Sequence, residues 1–311
     1  MSLRIAVMGS GGIGGYFGGR LAAAGEDVHF IARGAHLAAM QADGLQLRSP
    51  LGDARIDPVQ ASDDPATIGP VDVVMFCVKL YDVEDAAALC QPLIGPDTAV
   101  ISFLNGIDSE ERMRPLLGPR HVVGGVAHIP STIAAPGVIE HKAPLAALQF
   151  GEDDGRESDR LSAFHAACEG AGIQASLVPD IEVAIWSKFV LLAAFAAVCC
   201  LTRQPAGVIA ADDAVAELYR AAVEEIVAVA RARGIALPAD AVERAAQALD
   251  NFPPAVKPSM LVDLEGGRRI EIEGLSGAVV RGGRALGVDT PVHRVAYAAL
   301  KPYRDGPPTV A

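Results

Sequence analysis

Three glycines near the N-terminus have the spacing of a turn that holds phosphate groups. They follow an apolar run at 5–8 and precede a stretch compatible with a helix. In such a strand–turn–helix unit, Gly9 permits the sharp turn, Gly11 leaves bare backbone for a pyrophosphate, and Gly14 lets helix and strand pack closely. The residues of the turn are Gly9, Ser10, Gly11, Gly12, Ile13 and Gly14. The sequence therefore predicts a dinucleotide site. The alternative is a glycine-rich turn that binds nothing, because the chain has 32 glycines.

Three polar residues follow predicted strands in the first half of the chain. Arg33 follows a strand at 27–31, where an enzyme that uses NAD usually has an acidic residue for the ribose hydroxyls. An arginine there suits a 2′-phosphate instead, which predicts NADP(H). Lys79 and Asn105 follow strands at 71–78 and 98–104, and ligands collect at such strand ends in parallel sheets. The alternative for Arg33 is an exposed arginine in a loop that binds nothing. The alternative for Lys79 and Asn105 is that they are ordinary polar residues of loops.

A single lysine interrupts the most apolar part of the chain. Lys188 comes directly before the run 189–201, which contains no charged residue. The run is too short to span a bilayer comfortably, and it predicts a helix buried on all sides. A partly desolvated lysine holds its proton less tightly, which suits a general acid. The alternative is a surface lysine at a helix end.

The order of predicted elements positions these residues in two domains. Strands and helices alternate up to residue 179, which predicts a Rossmann-type, doubly wound parallel sheet in a domain at 1–179. A small hairpin at 44–56 is expected to be inserted in that sheet. Residues 180–311 are expected to form an all-α domain, so the fold class is α/β with a C-terminal helical domain. The predicted helices of that domain are 182–201, 213–233, 239–249, 271–286 and 291–300.

Composition excludes several classes of partner. The 311 residues carry a net charge of −12 with no basic cluster, so neither nucleic acid nor an anionic membrane is an expected partner. The five cysteines lack the spacing of a metal site and are odd in number, which predicts reduced thiols, no metal and a cytoplasmic protein. The oligomeric state is not fixed by the sequence, and a homodimer is left open.

Taken together, these segments resemble the ketopantoate reductase family over nearly the whole chain. The matching pieces are residues 9–14, Ala32-Arg33, Val78-Lys79, Leu104-Asn105-Gly106, Trp186-Ser187-Lys188-Phe189, residues 259–263 and Glu271-Ile272-Glu273-Gly274. The resemblance implies reduction of the ketone of 2-dehydropantoate to D-pantoate with NADPH, on a pathway to coenzyme A. It also implies a small 2-oxo acid as the binding partner.

The resemblance also implies roles for individual residues. Lys188 would be the general acid, and Glu271 would be an acidic partner near the nicotinamide. Lys79 and Asn105 would lie near the cofactor and the substrate, and Ser259 would bind the substrate carboxylate. The alternative for Glu271 and Ser259 is an exposed position at a helix end.

The chain departs from the family one and two turns beyond Lys188. Members that reduce ketopantoate commonly have asparagines there, whereas this chain has Leu192 and Ala196. Apolar side chains in place of amides suggest a less hydroxylated oxo acid. The open alternatives are therefore the same fold and cofactor with a different oxo substrate, or a non-catalytic regulator that binds NADP(H).

Overall fold

The computed structural model describes residues 2–308. The chain divides into two compact units, one made of Met1–Leu104 and Ser109–Ile181, the other of Asn105–Asp108 and Glu182–Ala311. The first unit is mixed α/β and the second is helical, which confirms the predicted fold class.

The first unit contains twelve strands and five helices among the described residues. In chain order they are β1 (Arg4–Met8), α1 (Gly12–Ala23), β2 (Asp27–Ile31), α2 (Gly34–Asp43), β3 (Leu45–Arg48), β4 (Ala54–Ile56), β5 (Gln60–Ser62), β6 (Val71–Phe76), α3 (Val83–Leu89), β7 (Ile94–Ser102), α4 (Ser109–Leu117), β8 (Val122–His128), β9 (Ser131–Ala135), β10 (Val138–His141), β11 (Ala147–Gly151), α5 (Asp159–Gly170) and β12 (Gln174–Leu177).

The main sheet places the predicted site at one edge. Its eight strands run in the order β12-β11-β8-β7-β6-β1-β2-β5, and all neighbours are parallel except β8 and β11. β1 lies between β2 and β6, with Val7 opposite both Phe30 and Met75. The central strand β1 is buried on both faces, as parallel strands covered by helices are, so its sequence is a continuous apolar run at 5–8. The carboxyl ends of β1, β2 and β6 therefore meet at one edge.

The predicted hairpin belongs to a different sheet from the one expected. β3 and β4 pair antiparallel, as predicted, but they form a second sheet in the order β4-β3-β10-β9. β3 pairs in parallel with β10, with Leu47 opposite Ile139, and both side chains are buried. The expectation that the hairpin is inserted in the main sheet was wrong, because its apolar face packs on α1 instead of continuing the main sheet.

Helix α1 approaches the second sheet through glycines. A Cβ atom at Gly15 would lie 2.8 Å from the side chain of Ile139, and one at Gly19 would lie 2.9 Å from Leu47. Gly15 and Gly19 are four residues apart and therefore share one face of the helix. On another face, a Cβ at Gly18 would lie 2.7 Å from Val7 of β1. The glycines thus let α1 pack against both sheets at distances that exclude a side chain.

The second unit contains seven helices among the described residues. They are α6 (Ile181–Thr202), α7 (Ala206–Ala211), α8 (Asp213–Ala232), α9 (Ala241–Asp250), α10 (Ser259–Glu265), α11 (Ser276–Leu286) and α12 (Pro291–Leu300). The sequence pattern does not predict α7 or α10, because six or seven residues are too few to show a helical period.

Helix α6 is the most apolar element of the chain. By length and composition alone this helix could cross a membrane, but the core helices of globular proteins can have the same length and composition. In this structure 61% of its most apolar stretch is buried. Most side chains of the run 189–201 are buried, whereas Leu191, Leu192 and Leu201 are half-buried. The run is therefore buried over most of its surface, close to the prediction.

Helices α8, α11 and α12 are joined by a buried histidine and a glutamate. The carboxylate of Glu225 accepts hydrogen bonds from the backbone N–H groups of Val292 and His293 at 2.7 and 3.0 Å, at the start of α12. His293 is fully buried, with Nε2 3.1 Å from the carbonyl oxygen of Ala222 and Nδ1 3.2 Å from Ser276 Oγ. Burial lowers the pKa of His293 to about 4, so the ring is neutral at pH 7.

Candidate active site

The glycine turn is held at the end of β1 by backbone bonds. Gly9 has φ +96°, a conformation that L side chains rarely adopt, and a Cβ there would lie 2.9 Å from the carbonyl group of Cys77. The N–H groups of Gly9 and Ser10 donate to the carbonyl oxygen of Ile31 at 3.3 and 3.2 Å, and Ser10 Oγ donates to the same oxygen at 3.0 Å. The turn is thereby fixed to the end of β2.

The start of α1 fits the diphosphate of a dinucleotide. Gly11 precedes the helix, and no side chain caps its first N–H groups. The first N–H groups of a helix have no partner inside the helix and attract anions. A Cβ atom built at Gly11 would meet no atom within 4 Å, so the backbone there faces open space. The geometry has the free backbone donors and the room that a pyrophosphate needs.

Arg33 pairs with an acidic residue that lies one short turn after Lys79. Arg33 lies between β2 and α2 with 79% of its side chain exposed, and its Nη2 is 3.1 Å from Oδ2 of Asp82. Lys79 is half-buried and immediately precedes the 3₁₀ turn Leu80–Asp82. The backbone N–H of Asp82 donates to the carbonyl oxygen of Lys79 at 2.9 Å. Asp82, whose role the sequence did not indicate, therefore binds one predicted cofactor residue and closes the turn that follows the other.

His36 supports the glycine turn and was also missed. It lies on α2, where its Nδ1 accepts the backbone N–H of Gly137 at 3.0 Å. Nε2 must therefore carry the proton that it donates to the carbonyl oxygen of Ser10, at 2.9 Å. Burial lowers the pKa of His36, which favours this neutral form. No sequence signal could have found this role, because Gly137 is about 100 residues further along the chain.

Lys188 and Asn105 meet in the second unit. Nζ of Lys188, on α6, donates to Oδ1 of Asn105 at 2.7 Å. Both residues are half-buried. Burial lowers the pKa of Lys188 to about 8, although the charge of Glu271 acts in the opposite direction. The structure thus brings together three predicted residues that are 83 or more positions apart.

Glu271 and Ser259 lie in contrasting environments. Glu271 is buried, and it precedes a turn instead of lying in the predicted helix at 271–286. That helix begins only at Ser276, so the predicted start was wrong. The N–H groups of Gly274 and Leu275 donate to the carbonyl oxygen of Glu271 and so close a turn. The buried residues of this turn, Ile272 and Leu275, are three positions apart, as they would be on one face of a helix. Ser259 is exposed as the first residue of α10.

Within residues 2–308, no group of three or more His, Cys, Asp or Glu side chains could hold a metal ion. All five cysteines are free thiols.

An α/β unit with a dinucleotide-type glycine turn, joined to a helical unit with a lysine of lowered pKa, defines a nicotinamide-dependent oxidoreductase. Residues 5–155 match the family model described as ketopantoate reductase PanE/ApbA, and residues 180–304 match the model of its C-terminal part. The chain belongs to the ketopantoate reductase family, which confirms the resemblance seen in the motifs.

Relatives of similar length support this assignment. The 2-dehydropantoate 2-reductase of Mesorhizobium japonicum is 32% identical, covering 96% of this chain and 97% of the relative. The uncharacterized oxidoreductase YkpB of Bacillus subtilis is 30% identical, covering 97% of this chain and 99% of the relative.

Solved structures share the fold over nearly the whole chain. The crystal structure of a PanE/ApbA family ketopantoate reductase from Ralstonia eutropha has 33% identity and a TM-score of 0.89, covering 97% of this chain and 98% of the other. A structure of D-mandelate dehydrogenase with NADH and anilino(oxo)acetate has a TM-score of 0.88 at 20% identity, covering 97% and 98%, and shows the fold alone.

Proposed function

We propose that this protein reduces a 2-oxo acid to a 2-hydroxy acid with NADPH, and that 2-dehydropantoate is the default substrate. The observation that carries the proposal is the 2.7 Å hydrogen bond between Lys188 and Asn105, with the lysine pKa lowered to about 8. A general acid works best when its pKa lies near the working pH. The cytoplasmic location and the role in pantothenate biosynthesis expected from the sequence belong to this proposal.

Three residues of the second unit would handle the proton. The ammonium of Lys188 would donate to the carbonyl oxygen of the substrate and release its proton as negative charge develops there. Asn105 holds that ammonium in place through Oδ1, and its Nδ2 group is a donor that could orient the substrate. The carboxylate of Glu271 favours the charged lysine, so the ammonium remains protonated near pH 7.

The cofactor would occupy the glycine turn. When bound, the reduced nicotinamide supplies the hydride that reduces the carbonyl carbon. The N–H groups at the start of α1 would bind the diphosphate, and Arg33 would bind the 2′-phosphate. The exposure of Arg33 supports this role, because its guanidinium can leave Asp82 at little cost. Lys79 would lie near the cofactor, and Ser259 would engage the substrate carboxylate.

A second candidate keeps the reaction and changes the substrate. Leu192 and Ala196 follow Lys188 at four-residue spacing on α6 and therefore lie on the same helix face. Leu192 is half-buried and Ala196 is buried, so the face next to the ammonium offers no hydrogen-bonding side chain for one and two turns. A hydroxylated substrate would lose its hydroxyl partners there, which favours a 2-oxo acid with an apolar side chain.

The test is a panel of 2-oxo acids assayed by NADPH absorbance. It includes 2-dehydropantoate, 4-methyl-2-oxopentanoate and phenylglyoxylate, so that hydroxylated, branched and aromatic side chains are compared. A higher kcat/KM for 2-dehydropantoate supports the default substrate, whereas preference for the apolar acids supports the second candidate. Leu192→Asn should shift the ratio toward the hydroxylated acid, with Leu191→Asn, at a neighbouring position on another face of α6, as the control. No oxidation of NADPH with any member would refute the proposed function.

A further inference from the structure

The second unit contains a second cation with the same two neighbouring segments as Lys188. Arg281, on α11, lies 3.3 Å from Oδ2 of Asp108 through Nη2 and 3.5 Å from Oε2 of Glu273 through Nη1. Its Nη2 also donates to the carbonyl oxygen of Glu273 at 3.0 Å. Asp108 is three residues after Asn105, and Glu273 is two residues after Glu271.

The two cations therefore connect the same pair of segments. Lys188 interacts with Asn105 of the segment Asn105–Asp108 and with the charge of Glu271. Arg281 interacts with the far end of that segment and with the residue two positions beyond Glu271. The ammonium of the lysine is a point charge on a flexible four-carbon stem, so it fixes the positions of its partners less strictly than a planar guanidinium does. A guanidinium with several donors in a fixed plane can hold two segments at once.

We propose that Arg281 is a positioning residue, which holds in register the two segments that carry the partners of Lys188. It touches neither substrate nor cofactor in this role. The carboxylate of Glu273 is itself held by the hydroxyl of Tyr297 of α12, at 3.0 and 2.9 Å from its two oxygens. The segment after Glu271 is thus fixed to α12 as well as to α11, and Arg281 extends that support to Asp108. The inference rests on the proposed function only in calling Lys188 the general acid.

Substitution of Arg281 could change the pKa of Lys188 in two ways, and these have opposite signs. Removing the positive charge of Arg281 leaves the carboxylates of Asp108 and Glu273 unneutralised, which would raise the pKa of Lys188. Displacement of Asn105 and Glu271 would take an acceptor and a negative charge away from the ammonium, which would lower that pKa. The sign of the change therefore separates a positioning residue from an exposed arginine.

The experiment measures the lysine directly. The chain has five lysines, Lys79, Lys142, Lys188, Lys257 and Lys301, so the ¹³Cε signals of lysine-labelled protein can be assigned by single substitutions and followed with pH. In Arg281→Met the pKa of Lys188 should fall below its wild-type value, and kcat should fall about tenfold while the Kd for NADPH changes less than about twofold. Arg281→Lys should recover part of both losses.

The matched control is Arg284→Met. Arg284 is also exposed on α11, three residues further on, and its substitution removes the same charge. It should leave kcat unchanged and should not lower the pKa of Lys188. An unchanged or raised pKa in Arg281→Met would overturn the proposal.

If Arg281→Met does not fold, Arg281→Gln carries the same test with a polar side chain. It removes the same positive charge and the guanidinium contacts, so it should also lower both the lysine pKa and kcat. Failure of the proposed function looks different. Lys188→Ala would then keep wild-type kcat, or no 2-oxo acid would be reduced, while the titration of Lys188 would still report on Arg281.

Discussion

The ammonium of Lys188 donates a 2.7 Å hydrogen bond to the side-chain carbonyl of Asn105, across 83 positions of sequence. A lysine that is buried enough to lose affinity for its proton is thereby held on one acceptor, with its pKa at about 8.

The rate should depend on the protonated form of Lys188. Because the proposed acid must carry its proton, kcat should be level below pH 8 and fall tenfold per pH unit above it. Lys188→Ala should lower kcat about 10²- to 10⁴-fold with little change in NADPH affinity. Lys188→Arg should not restore the rate, because a guanidinium does not release its proton. Steady-state kinetics beside a cofactor titration decides, and near wild-type kcat in Lys188→Ala would show that the lysine is not the acid.

Glu271→Gln should shift the alkaline limb of this pH profile to lower pH. The charge of Glu271 raises the pKa of Lys188 against the effect of burial, and the substitution removes the charge while keeping the shape. The measurement is the apparent pKa of kcat in both proteins. Glu265→Gln, which alters an exposed carboxylate on α10, is the control. A profile unmoved by Glu271→Gln would mean that the two groups do not interact during catalysis.

Cofactor preference should depend on Arg33. A charge-assisted hydrogen bond contributes about 1.5 to 3 kcal/mol, or roughly ten- to a hundredfold in affinity. Arg33→Ala should weaken NADPH by that factor and NADH far less, whereas Arg48→Ala, an exposed arginine on β3, should weaken neither. Asp82→Asn should strengthen NADPH relative to NADH, because Asp82 competes for the guanidinium. Fluorescence titration with both cofactors is the measurement, and equal losses for the two in Arg33→Ala would exclude the 2′-phosphate role.

Gly11→Val should abolish NADPH binding and leave the protein folded. A Cβ at this position meets no protein atom within 4 Å, so the side chain would occupy the space proposed for the pyrophosphate. Gly170→Val is the matched control, because a Cβ there also meets no atom within 4 Å. Calorimetric titration and thermal unfolding of both variants are the measurements. Normal NADPH affinity in Gly11→Val would remove the glycine turn from the cofactor site.

Acid should destabilise the second unit through His293. Its pKa is lowered from 6.5 to about 4 in the fold, so the stabilisation is complete above pH 6.5 and is lost as the pH falls toward 4. Between these values the unfolded chain binds the extra proton, and the loss amounts to about 3 kcal/mol. The single tryptophan, Trp186, is buried on α6 and reports the unfolding of this unit in urea. The difference between wild type and His293→Gln should shrink toward pH 4, and a constant difference would contradict the assignment.

Local pattern was enough to predict the elements that form the cofactor turn. An apolar strand, the turn and a helix follow one another within 24 residues, and the structure has them at Arg4–Met8 and Gly12–Ala23. Helix α12 also has the predicted bounds, 291–300, because proline starts it and the period is clear. In each case the determining interactions lie within the segment itself.

Long-range pairing was beyond the sequence. The parallel partner of β3 in the second sheet is β10, about 90 residues later, and nothing in either segment specifies that pairing. The contact between Asp108 and Arg281 spans 173 positions. Lys188 and Asn105 were each selected as residues, but their hydrogen bond depends on where α6 packs. Glu271 was placed in a helix because a turn with buried Ile272 and Leu275 has the same apolar spacing.

Helix α1 carries five glycines among its twelve residues, Gly12, Gly14, Gly15, Gly18 and Gly19. Each lowers helix stability by about 1 kcal/mol relative to alanine, so this segment would not remain helical in isolation. Packing against the sheets on its two faces stabilises the helix and offsets the low helix propensity of its sequence. Glycine is therefore required beyond the nucleotide motif, because α1 packs closely on both sheets. The neighbouring sheets restrict which substitutions this segment can accept, well beyond the residues that a ligand could touch. In a mutational scan of α1, substitutions at Gly15 and Gly19 would lower the stability of the fold, and effects on cofactor affinity would be confined to the turn.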